Sequence, residues 1–130
     1  MTKDEAVKYW KEGAADDLET AEELFNKNKR FNHAFFFYHL ALEKLLKGLH
    51  QAKKGSPAPF THKLSSLARM TEIPLDKTQE KQLDEITTYN VSARYEDYKR
   101  QFYKKTKDQK YASKWRGVCL DLYNKFLKMF

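Results

Sequence analysis

One cysteine, three prolines and four glycines are all that 130 residues hold of the amino acids that staple or punctuate a chain. A lone cysteine excludes an internal disulfide framework, and with it the small secreted folds that depend on one. Cys119 sits in WRGVCLDLY at apolar helical spacing with no histidine beside it, so a buried structural thiol is expected rather than a nucleophile. The glycines at 13, 48, 55 and 117 stand singly, which leaves no glycine loop to cradle a phosphate, and no Gly-x-Ser-x-Gly is present. No apolar run approaches the ~18–20 residues of a membrane span. The opening MTKDEAVKYW lacks a signal-peptide core, so a protein of the reducing cytoplasm, away from membranes, is expected.

Metal chemistry is equally unsupported. The four histidines, 33, 39, 50 and 62, show no i, i+4 ligand pair, and the Glu-x-x-His signature of a di-iron bundle does not occur. No metal or other cofactor is therefore expected.

What the chain does contain is ample material to bury: 41% of it is hydrophobic and 15% aromatic, which excludes a disordered chain and suits one domain over residues 1–130. Few breakers among many Lys, Glu, Leu and Ala predict an all-α fold. The net charge of +7 is local. Residues 99–116 carry eight basic side chains against Asp108 alone, while the remainder balances 17 basic residues with 17 acidic ones. A local excess makes a local field, suited to a nucleotide, a nucleic acid or an acidic partner.

Periodicity places the elements. Val7, Trp10, Ala14, Leu18, Ala21 and Phe25 recur at steps of three and four, predicting a helix over residues 4–26, and NKNKR then makes a turn. A second helix is predicted over 31–53, where Ala34, Phe35, Tyr38, Leu42, Leu45 and Leu49 are flanked by Phe36, Phe37, Ala41 and Leu46. So broad a stripe marks the most buried helix, ended by Gly55. A short helix, HKLSSLARM, follows, capped by Thr61 or a neighbour, with Leu64, Leu67 and Ala68 inward. A fourth over 77–89 presents Leu83 and Ile86, and a last one over 108–129 presents Trp115, Val118, Cys119, Leu122 and Phe126. The stretch between them, TTYNVSARYEDYKRQFYKK, reads as a junction that tucks Tyr89 and Phe102 into the core and leaves Arg94, Lys99 and Arg100 outside. The expected architecture is an up-and-down bundle of four to five helices.

Polar residues in patterns that carry chemistry are few. On the second helix His39, Glu43 and Lys47 form an i, i+4, i+8 row. Spacing alone reads that row as a solvated edge holding a Glu-to-Lys pair, the alternative being polar groups that line a groove. His62, in THKL, reads as a cap-region or packing histidine before a ligand. Arg94 either bonds the last carbonyls of its helix or holds phosphate through its planar fork.

Taken in order, AADDLETAEELF, FFFYHLALEKLLKGL, PFTHKLSSLARM and NVSARYEDY resemble the HEPN domains of prokaryotes over nearly all the chain. The resemblance implies a helical bundle similar to the substrate-binding helical domain of kanamycin nucleotidyltransferase, and a tendency to form homodimers. It further implies pairing with a minimal nucleotidyltransferase in a two-component system of toxin–antitoxin type. Some members are metal-independent ribonucleases whose signature is an arginine followed a few residues later by a histidine. Here no histidine follows Arg94, so that mechanism lacks its acid–base group, and Tyr98 is a poor base at neutral pH. The expected function is a nucleotide- or nucleic-acid-binding module rather than an enzyme. Its candidate contacts are Lys44, Lys47, His62, Lys63 and Arg94 for phosphate, with Tyr95 as a stacking platform. Rival readings are an altered ribonuclease and an interaction subunit without a ligand, gripping its partner through residues 99–116.

Overall fold

Two long helices make the frame: α1 (Lys3–Asn26) and α2 (Phe31–Lys54), followed by α3 (Leu64–Met70), α4 (Lys77–Ser92), α5 (Glu96–Thr106) and α6 (Gln109–Leu127). The computed structural model describes residues 1–92 and 96–130, and among these every regular element is helical. Thr2 caps α1, its hydroxyl accepting from the Glu5 N–H at 3.1 Å, and Asp4 and Glu5 complement the positive end of the helix. Asp76 and Gln79 cap α4 reciprocally, each side chain accepting from the other's backbone N–H. Asp108 caps α6 by accepting from the Lys110 and Tyr111 N–H groups.

Lys29 turns the chain between α1 and α2 with a left-handed φ of 55°. The two helices then run antiparallel, with Phe25 stacked on Phe31 near the turn and Trp10 against Gly48 at the far end. Gly48 suits this close approach. A Cβ on it would stand 3.0 Å from the Trp10 Cβ, so a side chain would push α1 away from α2. Gly55 ends α2 at φ 72°, as expected of a glycine stop.

The second helix is the hub of the bundle. Its stripe residues Ala34, Phe35, Tyr38, Leu42, Leu45 and Leu49 are all buried, and α1, α3, α4, α5 and α6 each pack on it. Phe35 has Tyr38, Tyr89 and Tyr111 around its ring at 5.2–6.0 Å. Leu64, Leu67 and Ala68 of α3, Leu83 and Ile86 of α4, and Cys119, Leu122 and Phe126 of α6 face inward as their spacing predicts. Cys119 is buried, and burial pushes its thiol pKa up.

Two local expectations need correction. The third helix begins at Leu64 rather than His62, and Thr61 does not cap it: the Leu64 N–H is satisfied by the Thr87 hydroxyl of α4 at 3.1 Å. Within the junction lies a sixth helix, α5. It buries Phe102 against Tyr89 at 5.5 Å and Thr106, whose hydroxyl bonds back to the Phe102 carbonyl at 2.8 Å. Tyr89 and Phe102 are thus in the core, with Lys99 and Arg100 exposed.

Candidate functional site

The row His39–Glu43–Lys47 is not a solvated edge. The segment running into α3 lies across it and buries His39 and Glu43. His62 Nδ1–H donates to Glu43 Oε1 at 2.8 Å and Lys47 Nζ donates to Glu43 Oε2 at 2.9 Å. His39 Nε2–H donates to the His62 carbonyl at 3.2 Å and stands 3.7 Å from Glu43 Oε1. Burial pushes the Glu43 pKa up, but the Lys47 and His62 hydrogen bonds and the neighbouring positive charges outweigh it, holding the carboxyl below its ordinary range. The carboxylate therefore stays ionised at neutral pH and ties α2 to the loop before α3.

This arrangement decides what the sequence-derived candidates can do. Lys47 and His62 come together, but on Glu43, so their donors are engaged inside the protein. Lys47 also lies over the rings of Trp10 and Phe60, at 5.6 and 5.9 Å. Lys44 points to the α1 side, paired with Asp17 at 2.7 Å. It borders a hollow of about 230 Å³ shared with Glu12 and Asp16, surroundings that disfavour phosphate. Lys63 is exposed at the N-terminal flank of α3. Arg94 and Tyr95 lie outside the described residues.

A different place gathers uncompensated positive charge. A cleft of about 310 Å³ opens between the first turn of α2 and the C-terminal end of α5. Lys29, Arg30, Asn32 and His33 form one wall, and Tyr103 and Lys107 the other. Buried Phe31 and Thr106 make its floor, and among the described residues no acidic side chain lines it. Arg30, the N-cap residue of α2, makes no side-chain cap, and the first turn carries no acid. Beside the cleft, a smaller hollow of about 140 Å³ is lined by Asn32, His33, Lys99 and Phe102.

The sequence carried a signal for this cleft. Lys99, Tyr103 and Lys107 recur every fourth residue, one row on a helix, and the turn NKNKR brings Lys29 and Arg30. The row is visible only once α5 is known to be helical.

Part of the basic run is spent on the fold. Arg116 holds Glu22 through two hydrogen bonds at 2.9 and 2.8 Å, and Lys105 pairs with Glu85. Arg100, Lys104, Lys107 and Lys110 are exposed and form no ion pair among the described residues. Among the described residues no group of His, Cys, Asp or Glu is placed to hold a metal ion, and among them no helix is long and apolar enough to cross a membrane.

Comparison with curated protein sequences returns no match. Among solved structures, TT1696 from Thermus thermophilus is similar in fold, with a TM-score of 0.77 at 20% sequence identity over 95% of this chain and 98% of that one. The family model described as the HEPN domain matches residues 7–128, nearly the whole length. The chain is a member of the HEPN domain family.

Proposed function

We propose that the protein is a nucleotide- or nucleic-acid-binding module that works beside a minimal nucleotidyltransferase as one half of a two-component pair, and that it does so as a homodimer. The observation that carries the binding role is the segregation of charge. The α1–α2 turn and α5 present cations with no acidic side chain among the described residues that line the cleft between them. The Glu43 cluster, by contrast, holds its own carboxylate, which engages Lys47 and His62. Family membership supports the partner and the dimer.

Titration calorimetry with a panel of nucleotides and short RNAs tests the binding role. Binding is expected at low salt and is expected to weaken as salt rises, because each phosphate neutralised releases counterions. Absence of heat across the panel at about 50 mM salt contradicts it. Light scattering of the pure chain, and copurification with a nucleotidyltransferase encoded beside it, test the other two parts.

A further inference from the structure

The cleft between α2 and α5 has a shape as well as a charge. Its volume of about 310 Å³ lies at the small end of the range for ligand sites. Lys29, Arg30, His33 and Lys107 line it, and none of the four has an ion-pair partner among the described residues. The Ala34 N–H is satisfied by the Arg30 carbonyl at 2.9 Å, whereas those of Phe31, Asn32 and His33 have no acceptor among the described residues. These donors add to the cationic lining on the same wall.

The floor of buried Phe31 and Thr106 closes the cleft below. It continues past Asn32 and His33, which also line the smaller hollow beside Lys99. From the residue just past α5 back along the helix the order is Lys107, Tyr103, Lys99, each about 6 Å from the next. Tyr103 is 54% exposed and has Lys107 Nζ at 5.7 Å from its ring.

We infer that this cleft binds a phosphate monoester carried by a nucleoside, either a free mononucleotide or the phosphorylated end of a strand. The reading rests on the binding role proposed above and goes further by naming the group recognised. A monoester offers three terminal oxygens and close to two negative charges, matching several donors that line two walls over a buried floor. A backbone diester carries one charge and must leave on both sides. Here the phosphate sits between Lys107 and the Lys29–Arg30 turn, the attached ring stacks on Tyr103, and any further strand leaves toward Lys99.

The test measures binding of the full chain, at low salt, to one short RNA carrying a phosphate on its 5′ end, its 3′ end or neither, and to AMP and inorganic phosphate. At least one phosphorylated end is expected to bind about tenfold more tightly than the unphosphorylated strand. Lys29→Ala combined with Arg30→Ala, and separately Lys107→Ala, are expected to abolish that preference. All three positions are exposed, and circular dichroism of the variants checks that the fold is retained. Tyr103→Ala is expected to weaken AMP and the RNA but not inorganic phosphate, and Tyr103→Phe to restore them. Lys114→Ala, outside the cleft, is expected to leave the preference intact.

AMP binding as tightly as the phosphorylated strand assigns the ligand to free nucleotides, and weaker AMP binding assigns it to strand ends. Either result upholds the inference. Equal binding of all three RNAs, or a preference that survives in the cleft variants, overturns it while leaving nucleic-acid binding in place. No binding of any ligand overturns both.

Discussion

Removing the Glu43 carboxylate tests how the centre of the molecule is held. Its side chain is 7% exposed and that of Lys47 is 12% exposed, so neither group regains much water when the other is deleted. Breaking a buried pair by removing one partner costs about 3–5 kcal/mol. His62, with its side chain 36% exposed, can turn toward solvent and lower that figure. Glu43→Ala is therefore expected to cost about 3 kcal/mol. Glu43→Gln keeps the shape and one acceptor and should cost about half as much. Lys47→Met places an apolar chain between Trp10 and Phe60, so the double variant Glu43→Gln, Lys47→Met should be more stable than the sum of its parts, by about 1–2 kcal/mol of coupling.

The dependence on pH carries a sign. Glu43 has a folded pKa below its unfolded value, so its contribution is fully present above the unfolded pKa of about 4.3 and is lost as pH falls through the lower folded value. Urea unfolding followed by circular dichroism, between pH 7 and pH 3, reads both effects. The gap between wild type and Glu43→Gln should be constant near neutrality and begin to narrow as pH falls below about 4.3. A coupling energy near zero, or a gap unchanged down to pH 3, refutes the reasoning.

Three further outcomes follow from the fold. Gly55 sits at φ 72° with open space where a methyl group would stand, nothing lying within 4 Å of it, so Gly55→Ala should cost about 1 kcal/mol from backbone strain alone, and Gly55→Asn less, by chemical denaturation. Arg116→Met removes both bonds to Glu22, which also accepts from the Tyr38 hydroxyl at 2.5 Å; since the pair is about one-third exposed, the expected loss is about 1 kcal/mol, and it should not add to that of Tyr38→Phe. Cys119, buried with its pKa raised by desolvation, should resist a thiol reagent in the native protein and react completely in denaturant; rapid native labelling contradicts the packing of α6.

Where burial follows from a local repeat, the chain could be read directly. The stripes of α1, α2 and α6 and the Gly55 stop each depend on residues three or four apart, or on one special backbone angle. Helix α5 escapes such reading because it buries only Phe102 and Thr106 among its described residues, and a threonine that bonds its own helix carbonyl leaves no apolar signature. The row His39–Glu43–Lys47 has the same spacing whether solvated or buried. The deciding feature is the His62 segment lying over it, 19 residues from Glu43 in sequence. For the same reason Lys47 and His62 read as available to phosphate, and only the tertiary contact shows their donors to be engaged. The cleft joins a turn at 29–30 to a helix end at 107, and no local pattern reports that they meet.

The central claim is that phosphate is met at the α1–α2 turn and α5, and not at the Glu43 cluster. Titrating the isotopically labelled protein with AMP, and following its backbone amide resonances, tests this most directly. The account predicts that the largest shifts fall on residues 29–33 and 99–107 and saturate together. Shifts centred on Lys44, Lys47, His62 and Lys63, with the cleft unmoved, contradict it.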